Sequence, residues 1–418
     1  MSISKLKTLI LGARDSNTLS YYDDWIDAFS NESFFSVDCV NIYEANSFRF
    51  LKKTIPQYHL IVLLHSITRI PKNIIYFNRF EQILQRRKGK ILAFVGDELN
   101  LYNAFLSEKI EFLKRLRPEY IGTQLPLEAG TWLYEGCQNS SVIPLPHALN
   151  PKVFQARIPQ ESRPLDIAAI SMHYPPFLGD NERERIFQFF SDQVFSPPLV
   201  VDIRVIVDER KRLSRQDWCN FLNKCRGTVS TEAGTYFLEK DDKTVKAITA
   251  YLFSKQKAGG GRVITENSMI RKLWDRMPMI LRSSILEKKD IIQKFLRGIA
   301  TETEGALLYE NANFNEIYEI FFKTLPISPF YSKAISSRHF EAIGTKTCQI
   351  MFPGRFNDIL TADRHYLALG KDFSNISAVM EKFRDFDFRR HMVDETYQYI
   401  MDTNTFHHRM IAVSKLFE

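Results

Sequence analysis

The sequence predicts an α/β protein with two Rossmann-like, doubly wound domains that face each other across a cleft. Short apolar runs alternate with amphipathic helical patterns through residues 6–145, and the same alternation begins again at residue 165. Strands that alternate with helices form parallel sheets, which helices cover on both faces. A chain of 418 residues is long enough for two such domains.

The first half of the chain contains six predicted strands, each a short and mostly apolar run. The third strand is apolar at almost every position, as is typical of a strand buried on both faces. Helical patterns separate the strands, with apolar side chains three or four positions apart. The predicted strands are residues 6–12, 34–42, 60–65, 90–98, 120–123 and 141–145, and the predicted helices are residues 21–29, 46–54, 72–87, 104–116 and 126–134.

A polar, proline-rich stretch at residues 150–165 has the composition of a linker. It predicts a first domain at residues 1–155 and a second domain at residues 164–400. The stretch from residue 240 to residue 335 is interpreted as a mainly helical insertion in the second domain. Further strands are predicted at residues 165–172, 199–207, 348–352 and 365–369, and further helices at residues 214–222, 269–274, 290–299, 375–383, 390–401 and 405–417.

The formal net charge of +7 suits an anionic ligand such as a nucleotide phosphate, a nucleic acid or an acidic membrane face. A basic surface that serves only solubility is the alternative. The basic residues near positions 86–90 and 109–117 are interleaved with apolar helix and strand positions, so they do not form a nucleic-acid-binding arm. The sequence therefore predicts no nucleic-acid partner.

The five cysteines have no paired CxxC spacing, and their odd number argues against a disulfide framework. Cys219 and Cys225 have no histidine nearby, so no zinc site is predicted. No stretch has the roughly 18 consecutive apolar residues that a membrane span needs. We therefore expect a cytoplasmic protein whose basic surface allows a peripheral contact with the inner membrane face.

A polar cluster lies at the start of residues 336–351, before an apolar run that reads as a buried strand. Arg338, His339 and Glu341 fall within four positions there. A guanidinium group suits phosphate geometry, and a carboxylate accepts hydrogen bonds from the two hydroxyls of a ribose. The cluster is a candidate nucleotide site. The alternative is a solvated helix start, where Glu341 lies near the positive helix end.

Two motifs resemble glycosyltransferases of the GT-B fold. Residues 146–151 read Pro-His-Ala-Leu-Asn-Pro at the crossover between the domains, and residues 338–345 read Arg-His-Phe-Glu-Ala-Ile-Gly-Thr. The second motif is similar to the Arg-x-Phe-Glu-Ala signature of the spore-maturation-type branch. This resemblance implies that the second domain binds a nucleotide-sugar donor and the first an acceptor, without a metal or other cofactor. It also implies that a C-terminal helix, residues 401–418, packs back on the first domain.

By the same resemblance Glu341 holds the ribose of the donor, and Arg338 takes the place of the arginine of the signature. The glycine of the signature comes two residues early here, at Gly344. The amides around Gly344 and Thr345, or the ammonium group of Lys346, are therefore the candidates to contact the diphosphate, because amides at a helix start favour anions. The second glutamate that retaining enzymes carry is missing from this region, which leaves the stereochemistry open.

Two further strand ends of the second domain carry candidate ligands for the donor. Glu232, Gly234 and Thr235 belong to one loop, where Gly234 lets the backbone approach a sugar or phosphate. A plain turn is the alternative. His173 and Tyr174 follow the first strand of this domain, and the alternative is that they are ordinary loop residues.

The first domain supplies the candidate catalytic base. Asp97 and Glu98 end the fourth strand, where a carboxylate would take the proton of an acceptor hydroxyl if the reaction inverts. Capping of the following helix is the alternative. His147 lies between prolines, and we interpret it as a residue that fixes the crossover.

The sequence thus predicts a hexosyl- or related transferase that moves a sugar from a nucleotide diphosphate sugar to a glycan, a lipid-linked molecule or another acceptor, as in polysaccharide biosynthesis. Two alternatives remain at this point. One is a nucleotide-sugar epimerase of the same fold, and the other is a non-catalytic protein that binds a nucleotide or a sugar.

Overall fold

The computed structural model describes residues 5–14, 20–102, 104–206, 211–258, 262–264, 299–301 and 312–417. Two parallel sheets dominate this part of the chain, and each belongs to its own α/β domain. The prediction of two Rossmann-like domains is confirmed. None of the described helices is both long and apolar enough to cross a membrane.

The first domain is built on a sheet of six parallel strands. The strands are β1 (Leu6–Gly12), β2 (Phe35–Asn41), β3 (Leu60–Leu63), β4 (Lys90–Phe94), β5 (Tyr120–Thr123) and β6 (Ser141–Pro144). The helices are α1 (Ser20–Asn31), α2 (Ser47–Thr54), α3 (His65–Thr68), α4 (Pro71–Leu84), α5 (Leu106–Leu116) and α6 (Leu127–Leu133). The strand order is β2-β1-β3-β4-β5-β6, so the order reverses between β1 and β3. A ligand crevice forms at such a switch point, outside the carboxyl ends of the strands.

The second domain has a sheet of five parallel strands and two smaller ladders. Its strands are β7 (Leu165–Met172), β8 (Val201–Ile206), β9 (Cys225–Ser230), β10 (Ala233–Gly234), β11 (Arg262–Ile264), β12 (Ile299–Thr301), β13 (Lys333–Ala334), β14 (Cys348–Met351) and β15 (Leu367–Ala368). The main sheet has the order β15-β14-β9-β7-β8, while β10 pairs with β13 and β11 with β12. The order reverses around β7, which pairs with both β8 and β9.

The described residues of the second half also form helices. They are α7 (Glu182–Asp192), α8 (Arg215–Leu222), α9 (Lys243–Ala258), α10 (Phe314–Ile317), α11 (Ser337–Gly344), α12 (Ile376–Arg384), α13 (Phe386–Thr403) and α14 (Phe406–Ser414). Most of the predicted insertion, including the helices expected at residues 269–274 and 290–299, lies outside the described residues.

The last helix packs on the first domain. Its Met410 is fully buried in a cluster that contains Trp25 of α1 and Ile10 of β1. A backbone hydrogen bond also joins the segment that leaves the first domain to the segment that returns to it. Phe406 N–H donates to the Leu149 carbonyl at 3.0 Å. The chain therefore passes between the domains at two neighbouring points, near residues 149 and 405.

The polar stretch after the first domain is packed rather than extended into solvent. Arg163 is almost completely buried, and its guanidinium group donates to the carbonyls of Cys225 at 2.8 Å and of Thr345 at 2.7 Å. A buried guanidinium needs acceptors for its donors. The composition of this stretch, which is typical of a linker, thus reflects polar contacts with the second domain.

Candidate functional site

A cleft of about 770 Å³ lies between the carboxyl ends of the two main sheets. Both domains contribute to its walls. From the first domain come Tyr21, His65, Asp97, Glu98, Gln124 and His147, and from the second come Tyr174, Arg183, Trp218, Gly234, Arg338 and Glu341, among others. The structure therefore brings together residues that the sequence placed at separate strand ends.

Helix α11 starts at the cleft because Ser336 caps it. Ser336 and His339 form a capping box, with Ser336 N–H donating to His339 Nδ1 at 3.0 Å. His339 is fully buried, its Nε2 lies 3.2 Å from Ser230 Oγ, and burial lowers its pKa to about 3. The neutral imidazole thus holds the helix start in place, and it does not line the cleft as a ligand.

Two arginines of the second domain line the cleft without a carboxylate partner. Arg338, on the first turn of α11, donates from Nη1 to Ser171 Oγ at 3.3 Å. Arg183, on α7, is only 7% exposed and its guanidinium carbon lies 4.4 Å from the ring centre of Tyr174. Within the part of the chain that the structure describes, neither forms a salt bridge. Arg338 was predicted from the sequence, whereas Arg183 was not.

The positive charge of Arg183 makes the charged form of Arg338 less favourable. Burial, followed by the charge of Arg183, lowers the pKa of Arg338 to about 9. Burial also lowers the pKa of Arg183. Like charges that share a partly desolvated site favour the entry of an anion, which offsets their repulsion.

Glu341 lies beside Arg338 on the same face of α11, since the two are three residues apart. Glu341 is buried, and its Oε2 accepts a hydrogen bond from the indole nitrogen of Trp218 at 2.7 Å. Trp218 comes from α8 and also lines the cleft. No local sequence pattern predicts this contact, because α8 and α11 are far apart in the chain.

The structure does not bring Gly344, Thr345 and Lys346 into the cleft. They lie at the carboxyl end of α11, about 12 Å from its start at 1.5 Å per residue. Thr345 is buried and its hydroxyl donates to the Ala342 carbonyl at 3.0 Å, while Lys346 Nζ pairs with Asp394 at 2.6 Å. The expected diphosphate contact placed these residues at a helix start, whereas in the structure Ser336 and not Gly344 begins the helix. A helix end presents carbonyl oxygens, which repel anions.

The Glu232 loop is divided between the cleft and the interior. Glu232 points away from the cleft, where Oε1 accepts from Phe356 N–H at 2.6 Å and Oε2 from the hydroxyl of Tyr331. Thr235 is also turned inward and donates to the Leu178 carbonyl. Only Gly234 of the three candidates lines the cleft, with a φ of +112° that favours glycine.

Tyr174 and His173 are separated in the same way. Tyr174 lines the cleft, and its hydroxyl donates to the carbonyl of Gly234. His173 continues the β7–β8 pairing through its backbone, with N–H donating to the Ile206 carbonyl at 2.9 Å. The side chain of His173 is not among those that line the cleft.

Asp97 and Glu98 have different environments although they are neighbours. Glu98 is buried and accepts from the hydroxyls of Thr123 at 2.7 Å and Tyr134 at 2.6 Å, and from Gln124 N–H at 2.7 Å. Burial raises its pKa. These contacts commit Glu98 to holding the β5–α6 connection, so it does not suit the role of a base.

The side chain of Asp97 is 39% exposed and lines the cleft, 3.7 Å from Arg69 Nε. Its backbone has a φ of 45°, which is uncommon for a residue with a side chain. The buried ammonium group of Lys109 donates to the carbonyls of Gly96 and Asp97, each at 2.7 Å. Lys109 thus stabilises the turn that presents the Asp97 carboxylate to the cleft.

Two histidines of the first domain also line the cleft. His147 Nδ1 accepts from the indole nitrogen of Trp25 at 3.2 Å, and burial lowers the pKa of His147 to about 3. The neutral ring therefore carries its proton on Nε2, where it is a donor. His65 follows β3 at the switch point beside β1 and lies 5.5 Å from His147, measured between ring centres. From the sequence, His147 is interpreted as a residue that fixes the crossover, with a catalytic role as the alternative, and no local pattern singles out His65.

The described residues contain no group of three His, Cys, Asp or Glu side chains arranged to hold a metal ion. The walls of the cleft are instead rich in fixed cationic groups and aromatic rings.

Comparison with known proteins gives structural similarity only. No protein-family profile matches the sequence, and no curated protein matches it. Anabaena Alr3699/HepE, solved in complex with UDP-glucose, is 8% identical; the alignment covers 99% of this chain and 100% of that one, with a TM-score of 0.46. Sucrose-phosphate synthase from Thermosynechococcus elongatus is 10% identical over 99% and 98% of the two chains, with a TM-score of 0.44. The N-terminal domain of trehalose-6-phosphate phosphatase from Candida albicans is 8% identical over 100% and 97%, with a TM-score of 0.42.

Proposed function

We propose that this protein is a glycosyltransferase that moves a sugar from a nucleotide diphosphate sugar to an acceptor hydroxyl. The observation that carries the proposal is the pair of guanidinium groups of Arg183 and Arg338, which line the cleft without a carboxylate partner among the described residues. Glu341 lies three residues from Arg338 on the same helix face.

A diphosphate fits the chemistry of these arginines. Guanidinium groups bind phosphate oxygens through two parallel hydrogen bonds, and such charge-assisted bonds are about twice as strong as neutral ones. The amide end of α11 adds a partial positive charge at the same place. In sugar transfer the negative charge grows on the leaving diphosphate, so fixed positive groups there stabilise the transition state.

Glu341 supplies the second element of nucleotide recognition. Its carboxylate accepts hydrogen bonds from the hydroxyls of the ribose. In a nucleotide diphosphate the ribose lies next to the diphosphate. The Arg-His-Phe-Glu-Ala motif that resembles the glycosyltransferase signature holds both groups, Arg338 and Glu341. Diphosphate and ribose would therefore lie side by side along the start of α11.

The acceptor enters from the side of the first domain. Asp97 takes the proton of the acceptor hydroxyl as its oxygen forms a bond to the anomeric carbon of the sugar. The bond from that carbon to the phosphate oxygen breaks, and the diphosphate leaves with the electron pair. His147 offers its Nε2 proton to a hydroxyl of the sugar or the acceptor from the same wall. The proposal includes no bound cofactor.

Incubation with UDP-, GDP- and ADP-glucose, followed by measurement of the nucleotide released, tests this proposal. Octyl glucoside and octyl galactoside serve as acceptors, and each donor is also incubated alone. Release that depends on an acceptor supports a transferase. Conversion of the donor without an acceptor indicates an epimerase, and binding without turnover indicates a binding protein.

A matched set of variants locates the activity. Arg183→Met and Arg338→Met remove the two charges with little change in side-chain length, and each should abolish release. Lys346→Met removes a charge just beyond the end of α11, outside the cleft, and should leave release unchanged, because Lys346 pairs with Asp394.

A further inference from the structure

We infer that Trp218 is a positioning residue that orients Glu341 and thereby sets the preference for ribonucleotides over 2′-deoxyribonucleotides. The inference rests on the proposed function, because it assumes that Glu341 accepts the ribose hydroxyls. The structural basis is the 2.7 Å hydrogen bond from Trp218 Nε1 to Glu341 Oε2.

The chemistry of the two groups makes this contact directional. An indole N–H donates but does not accept, and an ionised carboxylate accepts but does not donate. The bond to Trp218 therefore restricts the orientation of the Glu341 carboxylate. A carboxylate with one oxygen held in this way has a fixed plane, which sets the directions from which other donors, such as ribose hydroxyls, can approach it.

The indole itself is held by its own helix. Trp218 packs against Phe221, three residues later on α8, with ring centres 5.5 Å apart and planes inclined by 18°. Ser214 caps α8 by accepting from Asp217 N–H at 3.1 Å. The start of α8 is thus fixed before a ligand enters, and the position of the Nε1 donor is fixed with it.

Helix α8 also contacts the first domain. Arg215 lies three residues before Trp218, and its guanidinium group bonds Asp27 of α1 at 2.7 Å. Helix α8 therefore contacts both Glu341 of the second domain and helix α1 of the first domain. This arrangement gives the Trp218 donor a stable position relative to both walls.

The alternative role for Trp218 is direct stacking on the nucleotide base, since the ring lines the cleft. The two roles predict different results. Stacking contributes equally to a ribonucleotide and its 2′-deoxy form, because both carry the same base and differ only in the sugar. Orientation of Glu341 contributes only where the 2′-hydroxyl is present.

Calorimetry with UDP and 2′-deoxy-UDP, and with the ADP and GDP pairs, tests the inference. The wild-type protein should bind the ribonucleotide of at least one pair about tenfold or more tightly than its deoxy form, as expected for one hydrogen bond to a charged group. Trp218→Phe keeps an aromatic ring but removes the N–H donor. In this variant the affinity ratio should fall toward one, while the affinity for the deoxyribonucleotide changes little.

Two further variants show whether Trp218 acts through Glu341. Glu341→Gln should lose the same preference, and the double variant should lose no more than either single one, because both remove a single interaction. Trp132→Phe is the control: Trp132 lies on α6 outside the cleft, beside Lys240, and its loss should leave the ratio intact.

The outcomes separate the inference from the proposed function. A Trp218→Phe variant that keeps the ribonucleotide preference overturns the inference, and so does one that loses affinity equally for both forms. In either case the wild-type protein still binds nucleotide, and the proposed function stands. A wild-type protein that binds none of the nucleotides overturns both.

Discussion

The guanidinium group of Arg215 on α8 bonds the carboxylate of Asp27 on α1, with 2.7 Å between Nη2 and Oδ2, and so joins the two domains beside the cleft. The same group bonds Asp24, which is 2% exposed and also accepts from Asn150 Nδ2 at 2.8 Å. Burial raises the pKa of Asp24 to about 7 although Arg215 opposes that shift. The strength of this interdomain contact therefore depends on pH near neutrality.

Arg215→Ala should destabilise the protein more at pH 8 than at pH 5. Below pH 7 Asp24 is protonated in both proteins, so the variant loses only neutral hydrogen bonds with this group. Above pH 7 the wild-type Asp24 ionises and pairs with Arg215, whereas in the variant it would be a buried charge without its cation. Because Asp24 of the variant can avoid that charge by staying protonated, the extra loss at pH 8, one unit above the wild-type pKa of Asp24, is at most about 1.4 kcal/mol of unfolding free energy.

Urea unfolding at the two pH values measures this difference. Arg364→Ala is the control, because Arg364 forms an exposed pair with Glu395 and should cost at most about 1 kcal/mol. Equal destabilisation of the Arg215 variant at both pH values would contradict the role given to Asp24.

The buried histidines should make the fold sensitive to mild acid. His147 and His339 have pKa values of about 3 because of burial, whereas an unfolded chain has a histidine pKa near 6.5. Their contribution to stability is complete above about pH 6.5 and is lost as the pH falls toward 3, by up to about 1.4 kcal/mol per pH unit for each. Asp24 has the opposite effect, since its raised pKa increases stability as the pH falls from 7 to 3.8. This single group offsets only one of the two histidines.

Unfolding free energies measured at pH 5, 6 and 7 for the His147→Asn variant check this expectation. The variant should show a shallower decrease than the wild-type protein, whatever its stability at pH 7. His391→Asn, with a side chain that is 82% exposed, should keep the wild-type slope. A His147 variant with the wild-type slope would mean that this ring titrates normally in the folded state.

The neighbouring carboxylates of the first domain should have separable effects. Asp97→Asn should leave nucleotide affinity and stability near wild type but reduce acceptor-dependent release about 100-fold or more, as for loss of a general base. Glu98→Ala should instead cost about 2–3 kcal/mol of stability, because it leaves the donors of Thr123, Tyr134 and Gln124 buried without an acceptor. Initial rates and urea unfolding distinguish the two. Wild-type rates in the Asp97 variant would remove it from the mechanism.

The sheet strands could be predicted because helices bury them on both faces. The β3 residues Leu60–Leu63 are fully buried, and such a strand appears in the sequence as an unbroken apolar run. Arg338 and Glu341 could be predicted for a similar local reason, since their spacing places them on one face of a helix start.

The rest of the site depends on contacts between distant parts of the chain. Arg183 and Trp218 lie on amphipathic helices whose local pattern does not show which polar side chains reach a cleft. Glu232 follows a strand in the same way as Tyr174, but the loop at Phe356 supplies a donor that turns it inward. Local spacing finds the residues at strand ends, and tertiary packing decides which of them face the ligand.

Calorimetric titration of the wild-type protein with UDP, ADP and GDP, alongside the Arg183→Met, Arg338→Met and Lys346→Met variants, tests the central claim most directly. The wild-type protein and the Lys346 variant should bind at least one nucleotide with the same affinity. Each arginine variant should bind it at least about tenfold more weakly, as expected from the loss of a charge-assisted hydrogen bond. Equal affinity in all four proteins, or no binding by the wild type, would contradict the assignment of this cleft as a nucleotide diphosphate site.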